Sequence, residues 1–360
     1  MRPRFAWVTN VDAPYRRPVW RALGEHADLT VWLTDPAVDR DAGANRGADW
    51  APRPGERYAV RHLPTLRVAR GEARYYLPRT LGGDVLRGVD AVLLGGWESP
   101  IYWVLAARAR LAGVRRVGFY ESHRLSRRYT GGAVARARAA WFRSLDAVLV
   151  PGEAAADALR ADGVDPSRIV IGFNAVDVRH FAAAAATRTE APHHRFLVVS
   201  QLIPRKQLDL VVRALADLPD ATLTVAGSGP EREPLEQLAT RQGVADRVRF
   251  LGTVPQADLP AVYAVADTLV LPSAEEVWGL VVNEALAAGL GVVVSRTAGV
   301  APSIAHMPGV QLVEPTGPAV LEGMRAAITA WRGPIEDPQI LVHTPEAFAA
   351  DAFRALTGER

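Results

Sequence analysis

A chain of 360 residues, 49% of them hydrophobic, has enough apolar material for two domains of about 150 to 200 residues each. Its formal net charge of +3, even with a sequence pI of about 9.4, falls short of the concentrated basicity of a dedicated nucleic-acid binder. The absence of cysteine excludes disulfides, thiolate metal sites and a Cys nucleophile.

Taken in order, short β-branched runs alternate with helical patterns. Strands are expected at 4–9, 29–33, 91–94, 116–120, 147–150 and 169–171, with helices at 18–24, 101–111, 133–144 and 153–161. Such alternation builds a parallel sheet covered by helices on both faces. The stretch HFAAAAATRTEAPHH at 180–194 breaks the pattern, and 181–194 is expected to be a linker. Strands resume at 196–200, 222–226, 248–251, 268–271 and 291–295, and 344–356 reads as one amphipathic helix. The expected fold is α/β: two Rossmann-like domains, 1–180 and 195–340, facing across a cleft, with a helix at 341–360 packing back toward the first domain. The opening MRPRFAWVTNVDAPYRRP has no continuous apolar core of a signal peptide. No run reaches the ~18 apolar residues of a membrane span. A cytoplasmic location is therefore expected.

Ligands of open α/β sheets bind beyond the carboxyl ends of the strands, so the loops there carry the chemistry. In FLVVSQLIPRKQLDLVVRAL, 196–215, a strand ends at Ser200 and the next loop holds Arg205 and Lys206. Of the 42 Lys and Arg residues, Lys206 is the single lysine, in a chain that otherwise uses arginine. Lysine presents a compact charge that a planar guanidinium does not reproduce, and with Arg205 it could neutralise a diphosphate by charge-assisted hydrogen bonds.

In LVLPSAEEVWGLVVNEALAAGLGVVVS, 269–295, a strand ends at Pro272 and Ser273, followed by Glu275 and Glu276 and then by Gly279, which opens a helix carrying Glu284. A helix N-terminus offers free N–H groups to a diphosphate, and Gly279 lets ligand atoms approach the backbone. Glu284 could accept hydrogen bonds from a ribose diol, and Glu276 from sugar hydroxyls. A carboxylate among Val281, Val282, Leu286 and Ala287 needs a partner.

Glu276 to Glu284 matches the E-x7-E motif of glycosyltransferase family 4, retaining enzymes of the GT-B fold, and the surrounding thirty or so residues resemble that family's signature. Gly227-Ser228-Gly229-Pro230 is similar to its G-[DS]-G-P loop, and SQLIPRKQLDLVVRAL to its G-R-L-x-x-x-K-G segment. FAWVTNVDAPYRRPVWRAL resembles the N-P-x-P-Y-R-x-P start of one branch. Gln201 and Gln207 depart from the pattern, standing where the family has Arg and Gly.

The resemblance implies transfer of a sugar from a nucleotide-diphosphate sugar, with a UDP-sugar favoured, to a glycan, lipid-linked or small-molecule acceptor. It makes 195–340 the donor domain and 1–180 the acceptor domain. Lys206 and Arg205 would hold the diphosphate, Glu284 the ribose and Glu276 the transferred sugar. The backbone of Gly279, Leu280 and Val281, with Ser200 and Gly227, would line the donor site. Neither metal nor other cofactor is implied, and nucleic acid is not a partner. The strand at 116–120 runs into Glu121, Ser122 and His123, and either Glu121 or His123 would take the N-terminal catalytic position. Asn10, Asp12, Tyr15 and Arg16 follow the first strand on the acceptor side. A basic helix with Arg136, Arg138 and Arg143, preceded by Arg124, Arg127 and Arg128, suggests peripheral contact with an anionic membrane, against a plainer solvated face. The alternatives are a nucleotide-sugar epimerase of the same fold and a non-catalytic nucleotide-sugar binder. A dinucleotide-dependent oxidoreductase is disfavoured because residues 9–14 contain no glycine.

Overall fold

The structure is a computed structural model that describes residues 1–35, 57–70, 73–185 and 191–359. Two compact units emerge. Among the described residues, the first runs to Ala175 and resumes at Pro345, and the second is Val176–Thr344.

The first unit contains β1 (Arg4–Thr9), α1 (Arg17–His26), β2 (Asp28–Leu33), β3 (Ala59–His62), β4 (Thr65–Arg70), β5 (Ala73–Pro78), β6 (Ala91–Leu94), α2 (Pro100–Leu111), β7 (Arg115–Phe119), α3 (Gly132–Ser144), β8 (Ala147–Val150), α4 (Glu153–Ala161) and β9 (Ile169–Ile171). The second contains α5 (Val178–Ala185), β10 (His194–Val199), α6 (Leu208–Ala216), β11 (Ala221–Ala226), α7 (Arg232–Arg241), β12 (Val248–Gly252), α8 (Leu259–Ala264), β13 (Thr268–Leu271), α9 (Leu280–Ala287), β14 (Gly291–Ser295), α10 (Ala301–Ile304), β15 (Val310–Val313) and α11 (Gly317–Ala330). Helix α12 (Pro345–Thr357) belongs to the first unit, where it packs on α1 and β8.

The main sheet of the first unit has the order β3-β2-β1-β6-β7-β8-β9 and that of the second β12-β11-β10-β13-β14-β15. Every pairing within both is parallel, while β4 and β5 form a separate antiparallel hairpin. Parallel strands need crossovers that put helices on both faces, which is why β6, β8, β13 and β14 are buried along their whole length. In β1, Ala6 and Val8 pack in one core with α2 and α4, while Phe5 and Trp7 pack in another with α1 and α12. Phe348, Ala349, Ala352, Ala355 and Leu356 give α12 its single apolar stripe. The second unit's core joins Phe196, Val198, Val225, Val270 and Val293 to α6, α7 and α11.

Each sheet grows outward from its first strand and then reverses direction, between β1 and β6 in one and between β10 and β13 in the other. Loops leaving the strands at such a switch point diverge and open a crevice.

The stretch 181–194 is not irregular throughout. Its first residues complete α5, which packs on α8 and α9 through the fully buried Phe181. Alanine-rich sequence without charge alternation is a good helix former, so low complexity here conceals a helix. Residues 186–190 of that stretch lie outside the described residues. The edge elements β3 and β15 and the β4–β5 hairpin have no counterpart among the expected strands, because short edge runs with mixed polarity lack a clear period.

Candidate active site

In the second unit, the chain leaves β10 and makes one 3-10 turn, Pro204–Lys206, before α6. Gln207 closes that turn at φ 50°, and it alone among the described non-glycine residues has positive φ. The turn points Lys206 inward, where it is only 8% exposed, while Arg205 stays at the surface. The Lys206 Nζ donates to Glu276 Oε2 in direct contact, an ion pair between residues 70 apart in sequence. Arg205 is tied into the same place: its Nη1 donates to Glu275 O at 3.1 Å, and its carbonyl accepts from Ala274 N at 2.9 Å. The loops after β10 and β13 are thus joined at the switch point. The loop after β14 supports them, with Gly299 N donating to Glu276 O and Val300 N to Trp278 O, both at 3.1 Å.

Glycine is required where these loops approach one another. At Gly227 (φ 144°) a Cβ would stand 1.8 Å from Ser200 O, so the turn after β11 presses its backbone on the end of β10. Gly279 takes φ 100° at the N-cap of α9, a conformation L side chains resist. Ser200, Gly227, Thr253, Leu259 and Val281 line a cavity of about 180 Å³ at the carboxyl ends of β10, β11 and β12. Lys206 and Glu276 are not in its lining. Of the residues expected on the donor side, Ser200, Gly227 and Val281 therefore meet at the cavity, Arg205, Lys206 and Glu276 meet at the ion pair, and Gly279 and Leu280 open α9.

Glu284, one helical turn further into α9, is 6% exposed. Burial pushes its carboxyl up to about 7, opposed by the hydrogen bond that Tyr263 Oη donates to its Oε2 at 2.7 Å. The Tyr263 phenol is raised well above its ordinary value by burial and by the facing carboxylate. Tyr263 is absent from the motif reading, although a tyrosine in a short apolar helix signals a buried hydroxyl seeking a partner.

In the first unit, the residues after β1 are engaged with their own scaffold. Asn10 Oδ1 accepts from Tyr102 Oη at 2.7 Å and Thr34 Oγ1 at 3.2 Å. Asp12 is gripped at both oxygens by Arg17, at 2.8 and 3.0 Å. Arg16 is buried with its guanidinium 4.9 Å from the Phe119 ring, 5.5 Å from Phe348 and 5.5 Å from Tyr15. It donates to Asn174 Oδ1 at 3.0 Å and to Glu121 Oε1 at 3.2 Å, and Asn174 Nδ2 donates to the same Glu121 oxygen at 3.1 Å. Glu121, at the end of β7, keeps a third of its side chain exposed. Asn174 follows β9 and could have been found by inspecting the loop after that strand.

His123, the other candidate for the N-terminal catalytic position, is 4% exposed. The turn explains this, since His123 N donates to Ser126 Oγ at 2.9 Å and Ser126 N to His123 O at 3.1 Å. The basic run near α3 is also partly structural. Arg127 and Arg138 both pair with Asp162, at 2.9 and 3.3 Å, and Arg138 is buried, which leaves Arg136 and Arg143 as the exposed cations of α3. No helix among the described residues is long and apolar enough to cross a membrane.

Residues 185–329 match the family described as Glycosyl transferases group 1. The chain is 38% identical over 112 residues to a GDP-mannose-dependent alpha-(1-6)-phosphatidylinositol monomannoside mannosyltransferase of Mycolicibacterium smegmatis, covering 28% of this chain and 29% of that protein. It is 29% identical over 337 residues to the protein of the same description from Mycobacterium tuberculosis, covering 84% and 83%. The chain spans less than half the length of several curated relatives that it matches, at 29%, 44% and 35%. Among solved structures, Anabaena Alr3699/HepE in complex with UDP superposes with a TM-score of 0.68 at 17% identity, over 99% of this chain and 94% of that one. The fold is GT-B.

Proposed function

We propose that this chain, with a Glycosyl transferases group 1 domain at 185–329 on a GT-B fold, is a glycosyltransferase. It takes a sugar from a nucleotide-diphosphate donor and places it on a hydroxyl of a glycan, lipid-linked or small-molecule acceptor. The observation that carries the reading is the contact of Lys206 with Glu276 at the switch point of the second sheet, beside Arg205 and the N-terminus of α9. A donor diphosphate entering there takes Lys206 and Arg205 as its cations, together with the free N–H groups of α9. Glu276, released from Lys206, accepts from hydroxyls of the transferred sugar. Glu284 accepts from the ribose, and the cavity bounded by Ser200, Gly227 and Val281 admits the base.

The reading favours retention by same-face attack, in which the leaving phosphate oxygen takes the acceptor proton. The chain's contribution is then to stabilise negative charge growing on that phosphate with groups already in place, without a metal. On the acceptor side, Glu121 is the carboxylate held ready by Arg16 and Asn174, with Asn10 and Tyr15 nearby in sequence after β1.

Two relatives carry GDP-mannose in their descriptions and one structural neighbour holds UDP. A thermal-shift screen with UDP, GDP, ADP and dTDP, then with their sugars, therefore tests both donor class and base. One nucleotide is expected to raise the Tm, and NMR of the product with the matching labelled sugar is expected to show the donor's anomeric configuration. No shift with any nucleotide would sink the donor reading, and an inverted anomer would sink retention.

A further inference from the structure

Three helices of the second unit converge on one hydroxyl. Tyr263 of α8 is fully buried, and its ring meets that of Phe181 in α5 edge-on, with centroids 5.5 Å apart at 89°. Its Oη donates to Glu284 Oε2 of α9 at 2.7 Å and lies 3.4 Å from the carbonyl of Val281. Phenylalanine would fill almost the same volume without a polar atom to satisfy. A buried hydroxyl costs stability unless it is hydrogen-bonded, and here its bond goes to a single carboxylate oxygen. The other oxygen, Oε1, has no protein partner among the described residues, and it is absent from the fully buried partnerless atoms. Val281, whose carbonyl faces the phenol, is one of the residues lining the 180 Å³ cavity. The pair is thus joined through Val281 to the cavity proposed for the nucleotide.

We propose that Tyr263 is a positioning residue for the nucleotide: its hydroxyl holds Oε2 of Glu284 and leaves Oε1 to the vicinal diol of the donor ribose. This rests on the donor reading given above and deepens it. The charge environment makes the phenol decisive. From α9 itself there is no other ionisable group, and β13, β14 and the 3-10 turn Gln339–Val342 have none. Arg179 and His180 of α5 are exposed, and the effects acting on Glu284 are burial and the Tyr263 hydrogen bond. Burial raises the carboxyl and the phenol opposes the rise, so without the phenol Glu284 takes its proton at a higher pH and loses acceptor capacity. Tyr263, itself raised, stays protonated throughout and donates at every working pH.

Calorimetry on the full chain with GDP and UDP and their 2′-deoxy counterparts, from pH 6 to 9, reads this directly. The native chain is expected to favour the ribonucleotide about tenfold at pH 7.5, the scale of one hydrogen bond to a charged group. In Tyr263→Phe that preference is expected to be lost at pH 7.5 and to recover as the pH is raised, since without the phenol the carboxyl gives up its proton at a higher pH. In Glu284→Gln it is expected to be weak at every pH. A purely structural loss would weaken ribo- and deoxyribonucleotide alike. A ribose preference in Tyr263→Phe equal to the native one at pH 7.5 overturns the inference and leaves the donor reading standing. If the native chain binds none of the four nucleotides, the donor reading falls and takes the inference with it. Should Tyr263→Phe fail to fold, Glu284→Gln decides alone: a native ribose preference in that variant overturns the inference.

Discussion

The two sheets reverse at equivalent places, yet their switch points hold charge in opposite ways. After β1, Arg16 is wedged among Phe119, Phe348 and Tyr15 and saturated by Asn174 and Glu121, while Asp12 is closed by Arg17. After β10 and β13, Lys206 has a carboxylate that a stronger anion can displace, and Arg205 reaches only a backbone carbonyl from the surface. The backbones differ as well. The second unit presses Gly227 against the end of β10 and takes Gly279 to φ 100° at the start of α9, whereas residues 10–16 contain no glycine. A cation clamped by aromatic rings and two polar partners is architecture. A cation paired with one carboxylate at a helix N-terminus can exchange partners, and that exchange is what a diphosphate needs.

The largest effect should separate the two units most clearly. Lys206→Ala is expected to lower kcat with the identified donor by about 100-fold or more, as removal of a preorganised charge does, with acceptor KM little changed. Near-normal turnover would put both switch points on the same footing. Next in size is the pH dependence of the nucleotide-free chain. Glu284 titrates at about 7 when folded against an ordinary 4.5. The folded state therefore holds the proton more tightly, and the stability this confers is present below 4.5 and lost as pH rises through 7. Urea unfolding of the native chain should lose roughly 3 kcal/mol over that window relative to Glu284→Gln, and parallel curves for the two proteins would refute the buried carboxyl.

Arg16→Ala should act on stability, costing about 2 kcal/mol for the lost charged hydrogen bonds and ring contacts, measured by the same denaturant titration. The smallest change sharpens the contrast from the other side. Gln207→Gly should stabilise the chain by about 0.5 to 1 kcal/mol, since glycine takes φ 50° without strain and removes a buried amide oxygen that has no partner among the described residues. A destabilised Gln207→Gly would mean that the side chain is held by packing worth more than the strain.

Much of the candidate donor site was legible because it is local. Glu276 and Glu284 share one loop and helix, and Arg205 and Lys206 one strand-end loop, so spacing and strand position alone mark them. The candidate acceptor side was less so, because its geometry depends on residues far apart in the chain. Arg16 meets Asn174 across 158 positions, and Phe348 of α12 supplies the ring that fixes it. The burial of His123 follows from a turn closed by Ser126, which the strand register alone does not show. The linker stretch read as irregular, although it begins by completing α5, the helix that places Phe181 against Tyr263.

By itself, the sequence determined the α/β class, the parallel sheets and the spacing of the candidate donor residues, since periodicity, glycine and short-range spacing are properties of neighbouring residues. Only the tertiary structure decided which charges are spent on the scaffold and which remain exchangeable. It also decided that Lys206 meets Glu276 and that Tyr263 meets Glu284. Pairing and burial depend on which distant segments share a wall, and ionisation follows burial.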